Sequence, residues 1–247
     1  MNTRIVIIPT YNEIENIQAI IEKVLSLEPV FDLLIVDDGS PDGTAACVKT
    51  LQQAHPDRIH LLERKGKLGL GTAYIAGFKY ALDKSYEYIF EMDADFSHNP
   101  DDLVRLYDAC ANQGAFMSIG SRYINGVNVV NWPIGRVLMS YFAGFYVRFI
   151  TGMPIQDATA GFVCYRRKVL ETIPLDQIKF IGYAFQVEMK FTTWKYGFKM
   201  IEVPIIFTDR TKGESKMSAN IFKEAIFGVI QLKVNSLFKR YQANNGL

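Results

Sequence analysis

The sequence of 247 residues has little of what marks several large classes of protein. Its three cysteines, Cys47, Cys110 and Cys164, are widely spaced and form no CxxC pair, so neither a zinc site nor a disulfide framework is indicated and a reducing compartment is favoured. No stretch reaches the roughly 18 uncharged apolar residues of a transmembrane helix, and the N-terminal apolar run lacks the length and cleavage site of a signal peptide. A net charge of +1 gives no general attraction to nucleic acid. These absences predict a protein of the cytoplasm without a membrane span or a nucleic-acid partner.

Two glycine motifs of nucleotide-binding proteins are also missing. No Gly-x-Gly-x-x-Gly follows the first apolar run, which argues against a dinucleotide-binding oxidoreductase. The loop Lys65–Gly71 is rich in glycine and lysine, but it lacks the closing Gly-Lys-Ser/Thr of a Walker A loop. We interpret this loop as a glycine-rich entry to a helix that passes near a bound nucleotide.

What is present is a regular alternation of apolar runs and helical stretches in the first half of the chain. The alternation predicts an α/β fold with a Rossmann-like, mostly parallel central sheet and helices on both faces. Strands are predicted at 5–8, 33–36, 59–62, 88–92 and 116–120, with helices at 15–27, at 44–53, from the 66–71 loop to 84, and at 100–112, the last with Asn99 as its N-cap. Ligands of such sheets bind beyond the carboxyl ends of the strands, so the turns after the strands should form one site.

The second half of the chain is less regular. It contains an aromatic-rich helix at 136–151, two strands at 161–165 and 200–207, and a C-terminal helix at 220–241. We expect residues 1–217 to form one α/β domain and residues 218–247 to form an amphipathic helix that packs on this domain or on a membrane.

The sharpest local pattern is Asp93-Ala94-Asp95, which directly follows a predicted strand. Two carboxylates at this spacing can bind Mg²⁺ or Mn²⁺, cations that complete their coordination with substrate phosphate oxygens. Such a metal would neutralise charge on a diphosphate leaving group. An isolated Asp-x-Asp is more often a polar turn, but its place on the predicted ligand edge favours a functional site.

Two further turns follow predicted strands and carry groups suited to a nucleoside. In Pro9-Thr10-Tyr11-Asn12-Glu13, Tyr11 could stack on a base and Glu13 could accept hydrogen bonds from base or sugar hydroxyls. In Asp37-Asp38-Gly39-Ser40, a carboxylate could accept from the nucleobase or ribose, while Gly39 lets the backbone approach the ligand. The competing interpretation is local, with Asn12 capping one helix and Ser40 or Asp42 capping the next.

Taken together, these motifs resemble the inverting glycosyltransferases of family 2, which have the GT-A fold. Later motifs are similar to those of the dolichol-phosphate (polyprenol-phosphate) mannose synthase family, and the resemblance covers nearly the whole chain in order. They are Gly120-Ser121-Arg122-Tyr123, Asp157-Ala158-Thr159-Ala160-Gly161-Phe162, Gly182-Tyr183-x-Phe185-Gln186-x-Glu188, Glu202-Val203-Pro204 and Asp209-Arg210-x-x-Gly213-Glu214-Ser215-Lys216.

The resemblance implies GDP-mannose as donor, a polyprenyl monophosphate as acceptor, and a set of site residues. The donor would be held by Pro9, Tyr11, Glu13, Val36, Asp38, Asp93, Ala94, Asp95, Arg210 and Lys216. The acceptor phosphate would be held by Arg122, Arg136 and Ser140, and the implied catalytic residues are Asp95, Arg122 and Arg136. The metal, Mg²⁺ or Mn²⁺, would be held by Asp93 and Asp95. Some members have a Gln as third ligand where this sequence has Ser97, a weaker candidate whose place water could take.

The chemistry of the residues agrees with such a reaction. The planar guanidinium of arginine can bind two phosphate oxygens at once. An acceptor phosphate is already anionic near neutral pH, so it can attack the anomeric carbon without a strong general base, and in-line attack would give a β-linked product from an α-linked donor. Taken one by one, Arg122 and Arg136 could be surface charges, and Gln186 and Glu188 could form a polar helix face.

A lipid acceptor requires contact with a membrane. The helix around 137–150 is rich in large apolar residues, and a helical apolar stripe between 222 and 238 is interleaved with basic residues. An amphipathic basic helix of this kind can lie in the membrane interface. The competing interpretation is a core helix with a solvated basic side. We expect peripheral contact with the cytoplasmic face of a membrane, alone or with a membrane-protein partner.

Three other functions fit parts of the pattern. The first is a polyprenyl-phosphate glucosyltransferase, or another sugar-phosphate-lipid synthase of the same family. The second is a transferase with a saccharide acceptor, which would need a side-chain base beside that acceptor. The third is a non-catalytic subunit that binds a nucleotide sugar, which the acidic pair and the arginines argue against.

Overall fold

The structure is a computed structural model that describes residues 2–182, 184–210 and 219–241. Its centre is a seven-stranded sheet in the order β3-β2-β1-β4-β7-β5-β8. The strands are β1 (Arg4–Thr10), β2 (Asp32–Asp37), β3 (Ile59–Glu63), β4 (Tyr88–Glu91), β5 (Met117–Ser121), β7 (Val163–Arg166) and β8 (Met200–Pro204). β7 is antiparallel to its neighbours β4 and β5, whereas the other pairings in this sheet are parallel. The predicted α/β fold with a mostly parallel sheet is therefore confirmed.

Helices cover both faces of this sheet. They are α1 (Ile17–Leu25), α2 (Thr44–Ala54), α3 (Leu70–Asp83), α4 (Asp102–Ala111), α5 (Ile134–Thr151), α6 (Arg167–Thr172), α7 (Ala184–Lys195) and α8 (Ala219–Phe238). Alternate residues of β1 point to opposite faces, as the period of a strand requires. Ile5 and Ile7 join one core, which includes α3 and α7, and Val6 and Ile8 join the other, which includes α1 and α4.

Several predicted boundaries were wrong. The predicted strand at 200–207 is two strands, because the chain leaves the main sheet after Pro204, where its partner β5 also ends at Ser121. The second part, β9 (Phe207–Thr208), pairs with the short strand β6 (Val129–Val130) in a separate two-stranded sheet. α4 begins at Asp102 rather than at residue 100, and the Asn99 side chain accepts the amide of Asp101 in the preceding turn.

The two long helices of the second half lie together. α8 packs on α5 and on α7, and it buries Val229 and Leu232. Within the described chain, no helix combines the length and the apolar character needed to cross a bilayer. The predicted division between residues 217 and 218 lies outside the described residues and stays a prediction.

Candidate active site

The turns after β1, β2 and β4 lie side by side at the carboxyl edge of the sheet. Thr10, the last residue of β1, donates its hydroxyl to Asp37 Oδ1 (2.9 Å), and its carbonyl accepts the amide of Asp38 (3.0 Å). The amide of Met92, just after β4, donates to the carbonyl of Ile7 (3.2 Å). The structure thus brings the first two predicted turns and the start of the acidic turn to one edge of the sheet.

The first turn does not start a helix as one interpretation proposed. Asn12 has a left-handed backbone (φ 57°), and its amide donates to the hydroxyl of Ser40 (3.0 Å) rather than capping a helix. α1 starts only at Ile17. The Lys67 ammonium lies 5.4 Å from the centre of the Tyr11 ring, so the glycine-rich loop reaches the first turn. The predicted capping by Asp42 is present, because its Oδ1 accepts both the amide (3.0 Å) and the hydroxyl (2.6 Å) of Thr44 at the start of α2.

Asp38 has a charged partner that the sequence did not indicate. Arg64 donates from Nε to Asp38 Oδ1 (2.6 Å) and from Nη2 to Asp38 Oδ2 (2.8 Å). Arg64 also donates to Thr72 at the start of α3 (2.8 Å), so it joins the second turn to the glycine-rich loop. Its place directly after β3, on the same sheet edge, was the one clue in the sequence. Val36 is fully buried, so a ligand here would meet its backbone rather than its side chain.

The acidic turn holds its two aspartates in different surroundings. Asp95 is buried, its Oδ1 accepts the amide of Ser97 (3.0 Å), and its Oδ2 lies 3.1 Å from Arg210 Nη2. Asp93 keeps 40% of its side chain exposed. Between them and Ser97, Phe96 has a left-handed backbone (φ 58°), a conformation that bulky residues rarely adopt and that clusters at functional sites. The turn therefore presents Asp93 to the cleft and ties Asp95 to Arg210.

The two carboxylates influence each other. Enclosure by the surrounding turns and the nearby Asp95 carboxylate raise the pKa of Asp93 to about 7, against the opposing charge of Arg210. The Asp93 side chain remains partly exposed, so the repulsion between the Asp93 and Asp95 carboxylates is an essential part of this rise in pKa. A divalent cation bound at this turn would relieve that repulsion and favour the ionised form of Asp93.

A metal at this turn would draw on few protein ligands. Among the described residues, no group of three or more His, Cys, Asp or Glu side chains is placed to hold a metal ion. The buried hydroxyl of Ser97 has no hydrogen-bond partner in the described part of the chain, which suits a weak third ligand. Two carboxylates and one hydroxyl leave coordination positions for phosphate oxygens, as Mg²⁺ and Mn²⁺ sites commonly have.

A buried polar network lies behind the acidic turn. Gln186 Nε2 donates to Glu91 Oε2 (2.6 Å), and Tyr165 donates its hydroxyl to Glu91 Oε1 (3.3 Å). The Lys190 ammonium donates to the carbonyl of Ala160 (2.6 Å) and to Gln186 Oε1 (3.0 Å). Burial raises the pKa of Glu91 to about 7 against the opposing Lys190 charge, and burial lowers the pKa of Lys190 to about 8.

Gln186 and Glu188, which could have formed a polar helix face, are not exposed to solvent. Both side chains are buried, because α7 lies between the sheet and α8. Glu188 Oε2 accepts the amides of Lys179 (2.9 Å) and Phe180 (3.0 Å), so it fixes the segment that leads into α7.

His98 adds a neutral imidazole to the acidic turn. Its ring stacks on Phe162 with 4.9 Å between ring centres, and its Nδ1 lies 3.4 Å from the amide nitrogen of Asp93, which donates to it. Burial lowers the pKa of His98 to about 4, although the charge of Asp95 acts in the opposite direction. At neutral pH the ring therefore supports the turn as an uncharged acceptor.

Arg122, which directly follows β5, is held by a carboxylate from the loop before β7. Its Nε and Nη2 donate to the two oxygens of Asp157 (2.7 and 2.6 Å), and its amide donates to Asp157 Oδ2 (3.0 Å). Burial alone would raise the pKa of Asp157, but the charge and hydrogen bonds of Arg122 hold that pKa below its ordinary value. Both side chains are buried, so Arg122 is not a surface charge.

Arg136, in the first turn of α5, has a similar arrangement that is more open. Its Nη1 donates to both oxygens of Asp209 (2.9 and 3.0 Å), and its guanidinium carbon lies 4.1 Å from the centre of the Trp132 ring. Ser140, one turn further along α5, accepts a hydrogen bond from the Tyr123 hydroxyl (2.8 Å). The sequence alone did not indicate the pairing of either arginine. Lys216 lies outside the described residues.

A mostly parallel sheet with an acidic Asp-x-Asp turn at its carboxyl edge is the GT-A arrangement of glycosyltransferases that use nucleotide sugars. Residues 5–174 match the sequence model of Glycosyl transferase family 2, and the chain belongs to this family. The predicted glycosyltransferase class is therefore confirmed, and the interpretation as a non-catalytic subunit is set aside.

Two bacterial relatives match the chain over nearly its full length. It is 47% identical over 236 residues to a polyprenol monophosphomannose synthase of Mycolicibacterium smegmatis, which covers 96% of this chain and 89% of that protein. It is 43% identical over 241 residues to an undecaprenyl-phosphate mannosyltransferase of Micrococcus luteus, which covers 98% of each. The resemblance to the mannose synthase family is confirmed.

Solved structures share the fold at low sequence identity. One is glucosyl-3-phosphoglycerate synthase from Mycobacterium tuberculosis in complex with Mn²⁺, UDP and glucosyl-3-phosphoglycerate (16% identity, TM-score 0.66, 97% of this chain and 81% of that chain). Another is a mannosyltransferase from Pyrobaculum calidifontis in complex with GDP-Man and Mn²⁺ (16% identity, TM-score 0.57, 96% and 74%). At these identities the likeness concerns the fold.

Proposed function

We propose that this chain transfers mannose from GDP-mannose to a polyprenyl monophosphate, giving polyprenyl phosphate β-mannose. The observation that carries the proposal is the position of Arg136. This arginine, a side chain suited to bind phosphate, lies in the first turn of α5, and the exposed side of α5 carries large apolar residues. A cation beside an apolar helix face matches a lipid with a phosphate head. The two bacterial relatives, a polyprenol monophosphomannose synthase and an undecaprenyl-phosphate mannosyltransferase, support this acceptor class.

The donor would lie along the carboxyl edge of the sheet. Tyr11, Glu13 and the Asp38–Arg64 pair would face the guanosine, with the backbone at Pro9 and Val36 beneath it. Asp93, Ala94 and Asp95 would face the diphosphate, with Arg210 beside Asp95 and Lys216 as the further basic residue. A solved mannosyltransferase of the same fold is in complex with GDP-Man, which supports this class of donor.

We propose that Asp93 and Asp95 hold Mg²⁺ or Mn²⁺, with Ser97 as a weak third ligand. When bound, the ion would stabilise the charge that develops on the leaving diphosphate. The protein itself would hold the Asp95 carboxylate in place through Arg210 and support the turn through the neutral His98 ring. Mn²⁺ in solved structures of the same fold supports a divalent cation.

The acceptor would need positioning rather than deprotonation. Arg122 and Arg136 would hold the phosphate oxygens, with the Ser140 hydroxyl as a further donor. Because a phosphate monoester is already anionic, none of these residues has to remove a proton before attack. Charge stabilisation and alignment would then supply most of the rate enhancement.

The enzyme would reach its acceptor from the membrane surface. The exposed residues of α5 include Leu138, Phe142, Phe145 and Phe149, with Phe149 77% exposed. The neighbouring α8 exposes Phe227, Ile230, Val234 and Leu237. A large apolar patch of this kind marks a partner or membrane surface. Flotation with liposomes tests this contact, and flotation that requires an added membrane protein would assign the contact to that partner.

A transfer assay tests the proposed reaction. Purified protein is incubated with radiolabelled GDP-mannose and a short polyprenyl phosphate, with Mg²⁺, Mn²⁺ or EDTA. We expect metal-dependent label in the lipid product and a loss of about 100-fold or more for Asp93→Asn and Asp95→Asn. The control is Asp101→Asn, because Asp101 is an exposed acidic residue paired with Lys23. Transfer from UDP-glucose but not GDP-mannose would contradict the proposed donor, and transfer in EDTA would contradict the metal.

A further inference from the structure

Trp132 lies between the two arginines proposed for the acceptor phosphate. It follows the short strand β6 and precedes α5. The guanidinium carbon of Arg136 lies 4.1 Å from the centre of its ring, and that of Arg122 lies 5.6 Å from it. One aromatic ring therefore contacts two cations that come from different parts of the fold.

Each guanidinium is held from two sides. Arg122 is paired with Asp157, and besides the Trp132 ring its guanidinium carbon lies 5.2 Å from the centre of the Tyr123 ring and 5.7 Å from that of Phe207. Arg136 is paired with Asp209 and lies closest to the Trp132 ring. A tryptophan face attracts a guanidinium and also stacks on its plane. Arg136 reaches Asp209 through Nη1, and the structure shows no hydrogen bond from its Nε or Nη2 to the described residues. The ring therefore fixes the orientation of a guanidinium whose other donors can reach a phosphate.

The indole nitrogen does not explain why a tryptophan is at this position. Trp132 Nε1 is buried and has no hydrogen-bond partner among the described residues. A buried N–H without an acceptor disfavours the folded state. What this side chain contributes is its ring, which also contacts Phe207 edge to face with 5.2 Å between ring centres.

We propose that Trp132 is a positioning residue of the acceptor-phosphate site, whose ring orients Arg122 and Arg136 toward a phosphate monoester at the end of a lipid. The inference rests on the proposed function, because it assigns the phosphate to these arginines. Beyond that function, it predicts that position 132 requires a large aromatic ring and does not require a hydrogen-bonding group.

Kinetics of two substitutions separate the ring from the indole nitrogen. Trp132→Leu removes the aromatic face, and we expect the KM for the polyprenyl phosphate to rise about tenfold while the KM for GDP-mannose and kcat change less than about threefold. Trp132→Phe keeps an aromatic face, and we expect an acceptor KM within about threefold of wild type and no loss of thermal stability. Trp194→Leu is the matched control, because Trp194 is the other tryptophan and packs on Phe191 away from this site. An unchanged acceptor KM in Trp132→Leu, or an equal rise for both substrates, would overturn the proposal.

Fluorescence gives a readout that needs no turnover. The chain has two tryptophans, so Trp194→Phe leaves Trp132 as the sole indole emitter. We expect geranyl phosphate to change this emission saturably, geraniol to leave it unchanged, and Arg136→Ala to weaken the response. No response to geranyl phosphate, or an equal response to geraniol, would refute the placement of Trp132 beside the phosphate.

The two experiments also separate this inference from the proposed function. A fluorescence response to geranyl phosphate in a protein that does not transfer mannose would overturn the donor and keep the role of Trp132. Two results alongside normal mannose transfer would overturn the role of Trp132 and keep the function. They are a Trp132 emission that does not respond to geranyl phosphate and an acceptor KM that Trp132→Leu leaves unchanged.

Discussion

Lys190 is a fully buried cation, and its replacement by methionine should destabilise the protein in a way that depends on pH. Its ammonium donates to the carbonyl of Ala160 and to Gln186. Its charge also limits the rise in the pKa of Glu91 that burial causes. Methionine has a similar length and apolar character, so Lys190→Met removes the charge and the hydrogen bonds with little change in packing.

The size of the effect follows from what is left behind. The carbonyl of Ala160 and the amide oxygen of Gln186 lose this donor, and leaving a buried acceptor without a partner costs about 1–3 kcal/mol. A buried carboxylate that loses its cation would cost about 3–5 kcal/mol. The pKa of Glu91 is already about 7, so in the variant Glu91 can take up a proton at neutral pH for little free energy. We therefore expect the free energy of unfolding to fall by about 2 kcal/mol near neutral pH.

The loss should grow as the pH rises. In the variant, burial without Lys190 raises the pKa of Glu91 further, so the folded state holds a proton that the unfolded state has released. Stability then falls by about 1.4 kcal/mol per pH unit above neutral pH. In the wild type, Glu91 has given up most of this proton by about pH 8, and the lowered pKa of Lys190 gives stability that increases with pH above that point.

Urea unfolding followed by far-UV circular dichroism, at about pH 7 and about pH 8, measures both quantities. The matched control is Lys195→Met, in the last turn of the same helix and only partly buried. We expect Lys195→Met to stay within about 0.5 kcal/mol of wild type at both pH values. A destabilisation by Lys190→Met that does not change between the two pH values would refute the idea that Lys190 compensates a buried Glu91.

Three further predictions concern other parts of the site. Gly71→Ala should lower the free energy of unfolding by about 1–3 kcal/mol, because the new Cβ would lie 2.8 Å from the Phe180 carbonyl oxygen. The control is Gly135→Ala, whose Cβ would meet open space, and thermal unfolding compares the two variants. Arg64→Met should weaken binding of GDP in calorimetry about tenfold, because Asp38 loses two charge-assisted hydrogen bonds; unchanged binding would remove Arg64 from the donor site. Phe149→Ser should lower liposome flotation about tenfold and leave transfer to a short, water-soluble acceptor unchanged, because this ring is 77% exposed; an equal loss in both assays would point to a folding defect.

The first half of the fold could be predicted because its local patterns agree with its tertiary structure. The β-branched run of β1 is buried on both faces, and the apolar residues of α1 recur at helical spacing and are buried. The rule that ligands bind at the carboxyl ends of parallel strands then predicts that three polar turns lie together. The hydrogen bond from Thr10 to Asp37 joins the first two turns, and that from Met92 to Ile7 brings the start of the third beside them.

The rest depended on contacts that local sequence does not encode. The direction of β7 is set by its partners across the sheet, since an apolar run reads the same for a parallel and an antiparallel strand. The partners of Arg64, Arg122 and Arg136 are carboxylates between 26 and 73 residues away in the chain. Gln186 and Glu188 could be taken for a polar helix face because the sequence does not show their buried partners. Gln186 donates to Glu91, which lies 95 residues away in the chain, and Glu188 accepts backbone amides from the segment just before α7.

Because β7 is antiparallel to its neighbour β5, the segment between these two strands begins and ends at the same edge of the sheet. The start of β7 lies beside the end of β5, so the segment from 122 to 162 leaves the sheet and returns to it between two adjacent strands. A segment anchored in this way can lengthen or shorten at small entropic cost without altering the strands that carry the acidic turn and its neighbours. That segment includes α5, Trp132 and the partner of Arg122. The side proposed for the acceptor could therefore diverge in evolution while the side proposed for the donor stays constant.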